Sequence, residues 1–175
     1  IVQQIETNLT SVIRVTKAFI PYFRAKKEGL FITTTSIFGF SSCPLSSVYN
    51  ATKWALEGFS ESISYELALH NIGIKTVASG GIKSNFVNAA QFVSGEEYQT
   101  LNTNMSKLIE NGQLFEFNEV DEIASVVYEA ATDGKDKLRY LAGNDAINTS
   151  RQRNEKGAEN FRIGLKEQLN LSTAV

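Results

Sequence analysis

The sequence predicts an α/β fold of three parallel strands with flanking helices. Three observations carry that reading. Helical periods alternate with short runs of β-forming residues in the order helix, strand, helix, strand, helix, strand, for which right-handed crossovers and a parallel sheet are the expected arrangement. With 175 residues, 42% of them hydrophobic, the chain can bury one sizeable core but is too short for two full domains. No internal repeat or low-complexity linker divides it.

From Val2 to about Lys27, Ile5, Leu9, Val12, Thr16, Phe19, Ile20 and Phe23 fall at the three-and-four spacing of a helix with one buried stripe. Pro21 is placed to bend its end, and Gly29 to close it. Leu30–Thr35 reads as a short buried strand, and Ser36 to Leu45 as a loop. The longest helix is expected from Ser46 to His70. Leu56, Phe59, Ile63 and Leu67 line one face, and Ala51, Trp54, Ala55 and Ala68 suggest burial on a second. Asn71-Ile72-Gly73 ends it, Ile74–Ala78 forms the second strand, and Ser79-Gly80-Gly81 reads as a turn needing glycine's freedom. The polar, aromatic-dotted stretch 83–118 predicts small helices in a flap. Glu119–Thr132 returns to helix with Val120, Ile123, Ala124, Val127 and Ala131 on one side. Leu138–Ala142 is the third strand, and a charged terminal helix covers Glu155–Leu169.

Composition removes several function classes. A formal charge of -2 offers no broad attraction for phosphate backbones or anionic membranes, so neither nucleic acid nor membrane is an expected partner. Arg151, Arg153 and Lys156 are interrupted by Glu155 and Glu159, which suits a solvated helix face. Cys43 is the only cysteine and His70 the only histidine, so no metal site is expected, and a reducing cytoplasm fits. No apolar run reaches spanning length, and Ile1–Ile5 lacks a signal-peptide pattern. The chain starts without Met inside an amphipathic pattern, which leads us to expect sequence upstream of Ile1.

The chemistry gathers on the long helix. Tyr49 and Lys53 lie four residues apart, so both side chains leave one face. A neighbouring ammonium favours a phenolate and should draw a tyrosine pKa down from its reference near ~10, as a tyrosine acid/base requires. The spacing alone recurs readily by chance, and a surface tyrosine is the competing reading. Ser36 stands at the C-terminal end of the first strand, the edge where open parallel sheets bind ligands, with a strand-ending turn serine as its plain alternative. Asn8 falls between Ile5 and Val12 on the buried helix face, where a carboxamide needs partners or a function.

The run Ser36-Ile37-Phe38-Gly39, Pro44, and Tyr49-Asn50-Ala51-Thr52-Lys53-Trp54-Ala55-Leu56-Glu57-Gly58-Phe59 resembles the active-site segment of the short-chain dehydrogenase/reductase family. Asn8-Leu9 matches the family's helix asparagine, and Ser79–Phe86 looks like the loop after its sixth strand. Leu138–Gly143 fits the last strand of a bacterial branch. The resemblance implies a partial Rossmann-like (doubly wound) fold and an oxidoreductase moving a hydride between NAD(H) or NADP(H) and a small-molecule carbonyl or alcohol. Tyr49 would exchange the proton, Lys53 would tune it and hold the nicotinamide ribose, and Ser36 would orient the substrate oxygen. Asn8 would hold a water joining Lys53 to solvent. Gly80, Ile82 and Ser84 would complete the nicotinamide site with Tyr49 and Lys53. The segment 83–118 would be the substrate-binding flap, and Phe86, Phe92, Tyr98, Leu101, Leu108, Phe115 and Phe117 there suit an apolar or bulky carbonyl compound or, equally, the flap's own packing. The helices over 2–27 and 46–70 resemble the pair through which family members form homo-oligomers.

Two departures stand out. Ser79-Gly80 replaces the family's Pro-Gly, removing a φ restraint. The 175 residues contain no Thr-Gly-x-x-x-Gly-x-Gly turn to seat a pyrophosphate, so alone they should bind a dinucleotide weakly and turn nothing over. A non-catalytic interaction protein on a remnant fold, and a nucleotide-sugar epimerase or dehydratase, are the alternatives.

Overall fold

A computed structural model describes residues 1–86 and 95–171. Phe92, among the aromatics named above, lies outside the described residues. The helical periods of the N-terminal segment become α1 (Val2–Ile5), a π-helical stretch (Glu6–Thr10) and α2 (Ser11–Lys26), not one uniform helix. In the π-helical stretch the Ser11 N–H reaches back five residues to the Glu6 carbonyl. Pro21 lies inside α2, and the left-handed residue that ends this helix is Lys27 (φ 54°). Gly29, expected to close the helix, instead opens β1 (Gly29–Thr34).

A short 3₁₀ turn (Ile37–Gly39) leads toward α3 (Ser47–Ala68). Asn71 (φ 57°) reverses the chain, so β2 (Ile72–Ser79) starts two residues earlier than its apolar run suggested. There follow β3 (Gly81–Ile82), a 3₁₀ turn (Glu96–Tyr98), α4 (Gln99–Glu110), β4 (Phe117–Asn118) and α5 (Val120–Thr132). Glu119 caps α5 reciprocally with Glu122. The chain continues through β5 (Arg139–Ala142), α6 (Asn144–Lys156) and α7 (Ala158–Gln168). The single terminal helix expected over 155–169 is thus two, divided at Gly157 (φ +78°). Asn144–Lys156 escaped the sequence reading because Asn, Ser, Thr and charged residues leave no continuous apolar stripe there.

Three parallel strands form one sheet in the order β1-β2-β5, with Thr34 opposite Val77 and Ser79 opposite Ala142. A second, two-stranded parallel sheet pairs β3 with β4. Alternation along β2 sends Ile72 and Ile74 to Leu67, Ile63, Ile20 and Phe23 of the helices on one face, and Val77 to Ile123, Val126, Val127 and Ala130 of α5 on the other. Helices therefore flank the sheet on both faces, as the predicted α/β class requires. In contrast, α3 buries one side only. Leu56 and Leu67 are within the core, while Trp54, Tyr65 and Leu69 are exposed. On α2 the predicted stripe is similarly narrowed, with Thr16 buried but Phe19 half exposed. From α4 and the chain that follows it, Leu101, Met105, Leu108 and Phe115 pack with Cys43, Phe38 and Leu169.

Candidate active site

The C-terminal ends of β1 and β2 bring the predicted residues together. Ser36 follows β1 with extended backbone and is buried; its hydroxyl accepts the Phe38 N–H at 3.2 Å, which starts the 3₁₀ turn and turns the chain toward α3. Tyr49 sits in the first turn of α3 and Lys53 one turn further on, where its ammonium donates to the Thr34 carbonyl at 3.2 Å and lies 5.6 Å from the Tyr49 ring centre. Burial pushes the Tyr49 phenol above its ordinary value, and a hydrogen bond with Ser36 opposes that rise. The sequence-based expectation was a phenol lowered by Lys53. In this arrangement desolvation is the larger effect, and Ser36 is the group that counters it. Burial likewise moves Lys53 below the ordinary lysine value, partly offset by the charge of Glu57.

Asn8 lies within the π-helical stretch, and its Nδ2 donates to Thr52 Oγ1 at 3.3 Å; Thr52 in turn donates to the Tyr49 carbonyl at 2.7 Å. The asparagine therefore reaches the site through the helix that carries it, with no direct bond to Lys53 among those it makes here. The remaining predicted residues follow one another along the chain after β2. Gly80 N–H donates to the Ala142 carbonyl at 2.9 Å, Ile82 lies in β3, and Ser84 accepts from Phe86 N–H at 3.3 Å.

Gly80 and Gly81, expected to need glycine's freedom, do not take left-handed backbone. Gly80 is required by close approach, because a Cβ there would stand 1.7 Å from an Asp145 oxygen. Aromatic rings surround the phenol: Phe38 lies 6.0 Å from the Tyr49 ring and Phe86 6.2 Å, and Phe115 is 5.6 Å beyond Phe38.

Sequence reasoning missed Glu57, a buried carboxylate one turn beyond Lys53. It accepts from Thr35 Oγ1, from Thr76 Oγ1 at 3.1 Å and from Arg139 Nε at 2.8 Å, so it ties α3 to β2, to β5 and to the residue that follows β1. Gly39 leaves room for it, since a Cβ there would meet Glu57 Cγ at 2.8 Å and the Lys53 carbonyl at 3.2 Å. Asn50 was also missed. Its Nδ2 donates to the Ser41 carbonyl at 2.9 Å, holding the loop before α3 closed. Chemically, the arrangement presents a phenol, a hydroxyl and an ammonium at one sheet edge, all able to act on a single ligand oxygen or a neighbouring diol. Among the described residues no helix is long and apolar enough to cross a membrane.

The family model described as short chain dehydrogenase matches residues 1–92. An uncharacterized oxidoreductase of Schizosaccharomyces pombe is 29% identical over 167 residues, covering 94% of this chain and 70% of that protein. Among solved structures, a short-chain dehydrogenase from Streptomyces avermitilis superposes with a TM-score of 0.72 at 24% identity, over 93% of this chain and 58% of its own. A short chain dehydrogenase from Burkholderia cenocepacia in complex with NADP superposes with a TM-score of 0.68 at 20% identity, over 94% and 56%. The chain thus spans a little more than half the length of those two structures, and their likeness speaks for the fold.

Proposed function

The chain belongs to the short-chain dehydrogenase family, and from that premise we propose that it is the catalysis-bearing part of an oxidoreductase that transfers a hydride between NADP(H) or NAD(H) and a carbonyl or alcohol. The observation that carries this is the meeting of Ser36, Tyr49 and Lys53 at the C-terminal edge of β1 and β2. The donor set fits the nicotinamide-ribose end of a dinucleotide. Lys53 spends one N–H on the Thr34 carbonyl and keeps others for ribose hydroxyls, and Gly80, Ile82 and Ser84 line the neighbouring loop. When bound, the nicotinamide supplies or accepts the hydride.

In the carbonyl-reducing direction Tyr49 donates its proton to the substrate oxygen while the Ser36 hydroxyl hydrogen-bonds the same atom. The phenol carries its proton before transfer; burial opposes release of that proton, and the Ser36 hydrogen bond works against the burial effect. The Lys53 ammonium then stabilises the phenolate left behind. Phe86, exposed beside Tyr49, and Phe38 give the approach an apolar wall, which favours a bulky apolar carbonyl compound as substrate and the segment 83–118 as its flap.

The decisive experiment is Tyr49→Phe in the full-length gene product, assayed against a panel of carbonyl compounds with NADPH and NADH. Loss of a positioned general acid should lower kcat by about 10²–10⁴-fold with dinucleotide affinity nearly unchanged. Turnover close to wild type would remove Tyr49 from the chemistry.

A further inference from the structure

A second buried carboxylate lies where β5 turns into α6, outside the Ser36, Tyr49 and Lys53 group. Asp145 is 6% exposed and forms no ion pair among the described residues. Its Oδ2 accepts the backbone N–H of Gly81 at 2.7 Å, and its Oδ1 accepts Asn118 Nδ2 at 3.0 Å and the Ala146 N–H at 3.0 Å. Asn118 is 5% exposed; the two hydrogens of its Nδ2 are shared among Asp145 Oδ1 and the carbonyls of Gly81 at 3.0 Å and Glu116 at 2.8 Å, while its Oδ1 accepts the Asn144 N–H at 3.1 Å. Two side chains thereby knot three separate segments: the loop after β2, the end of the flap, and the start of α6.

Two glycines make the space. A Cβ on Gly80 would stand 1.7 Å from Asp145 Oδ1, and one on Gly143 (φ +100°) would stand 2.5 Å from Asn118 Nδ2 and 2.9 Å from Asp145 Oδ1. A buried charge that meets only neutral donors is costly unless every lone pair is used and the field favours it; here three N–H groups converge on it, and the first turn of α6 presents its positive end. Such a carboxylate fixes its donors more stiffly than a neutral acceptor, because charge-assisted hydrogen bonds are about twice as strong.

We infer that Asp145 and Asn118 are positioning residues that hold the backbone of Gly80–Ile82 and the C-terminal root of the flap as one piece, so that the loop receiving the nicotinamide is set before the dinucleotide arrives. The inference rests on the functional reading above for what the loop receives, but not for the knot itself. Neither residue touches the reacting atoms. Each acts through the Gly81 amide and carbonyl, the one donating to Asp145 and the other accepting from Asn118.

The test uses the full-length protein and its Asp145→Ala, Asp145→Asn and Asn118→Ala variants, with amide hydrogen exchange and fluorescence titration of NADPH read side by side. In Asp145→Ala the Gly81 amide should exchange at least about tenfold faster, while Val77 in β2 keeps its wild-type rate. The Kd for NADPH should rise about tenfold, the size of one lost charge-assisted hydrogen bond, with kcat falling less. Asp145→Asn, which retains one acceptor, should fall between, and Asn118→Ala should resemble Asp145→Ala. A Gly81 amide that stays protected, a Kd that does not move once Gly81 is released, or equal acceleration at Val77 would each overturn the inference, the last by reducing Asp145 to general stability. If the wild-type protein binds neither NADPH nor NADH, the functional reading fails, whereas the exchange rates still decide whether the knot exists.

Discussion

Glu57 follows Lys53 by one helical turn and receives hydrogen bonds from residues 22, 19 and 82 positions away in sequence, Thr35, Thr76 and Arg139. Those separations explain why its role could not be read beforehand. The Tyr49 and Lys53 pair is local, four residues on one helix, so spacing alone places both on a shared face. A carboxylate whose three partners come from three separate segments has no short-range signature. Removing it should also be expensive. Glu57→Ala would leave a guanidinium and two buried hydroxyls without their acceptor, and we expect about 3–5 kcal/mol of lost stability by urea unfolding, against a smaller loss for Glu57→Gln. A loss below about 1 kcal/mol for the alanine variant would mean that water replaces the carboxylate without strain.

Among the elements, strands and helices with strong periodicity were legible, and their ends were not. β1 and β5 each lie within a residue of their expected bounds, but β2 was extended by Asn71, whose left-handed backbone lets pairing begin at Ile72. α6 was missed because its burial is confined to Asp145 and Ala146 in its first turn, too little to print a period. Another element-level contact joins β2 to the end of α5. The Lys75 ammonium donates to Asp133 at 2.6 Å, both side chains are buried, and the Tyr140 hydroxyl donates to the other Asp133 oxygen at 2.7 Å.

Hydrogen bonds from Lys75 and Tyr140 hold the Asp133 carboxyl well below the usual carboxylate range, and the Asp133 partner raises Lys75 against the effect of its burial. A depressed carboxylate stabilises the fold fully above its unfolded value of about 4 and loses that contribution as pH falls toward its folded value. The raised lysine contributes below its ordinary value near ~10.4 and fades above it. Thermal unfolding of Asp133→Asn should therefore lose its difference from wild type as pH drops below about 4. A gap that persists unchanged at pH 2 would show that the ion pair is not its source.

For the whole molecule, the layered α/β arrangement followed directly from alternation of element types, whereas the surfaces those layers leave open did not. Val15, Phe19 and Tyr22 on α2, Tyr65 on α3 and Leu69 at its C-terminal cap are more than half exposed, a density of apolar groups along two helices that a solitary chain seldom keeps. The association proposed from family resemblance would use these helices. Phe19→Lys together with Leu69→Lys should shift sedimentation of the full-length protein toward the monomer without loss of helical circular dichroism, and an unchanged sedimentation coefficient would place any contact elsewhere.

The π-helical stretch Glu6–Thr10 has a consequence for that same region. A five-residue reach accommodates one amino acid more than an ordinary turn, and at 3.6 residues per turn that surplus rotates everything before it by about 100° relative to α2. Asn8 points at Thr52 by virtue of this offset. Deleting a residue between Asn8 and α2 would let the helix heal to normal pitch and swing the amide away, so the aim of that group is written in how many residues separate it from α2 as much as in which ones they are.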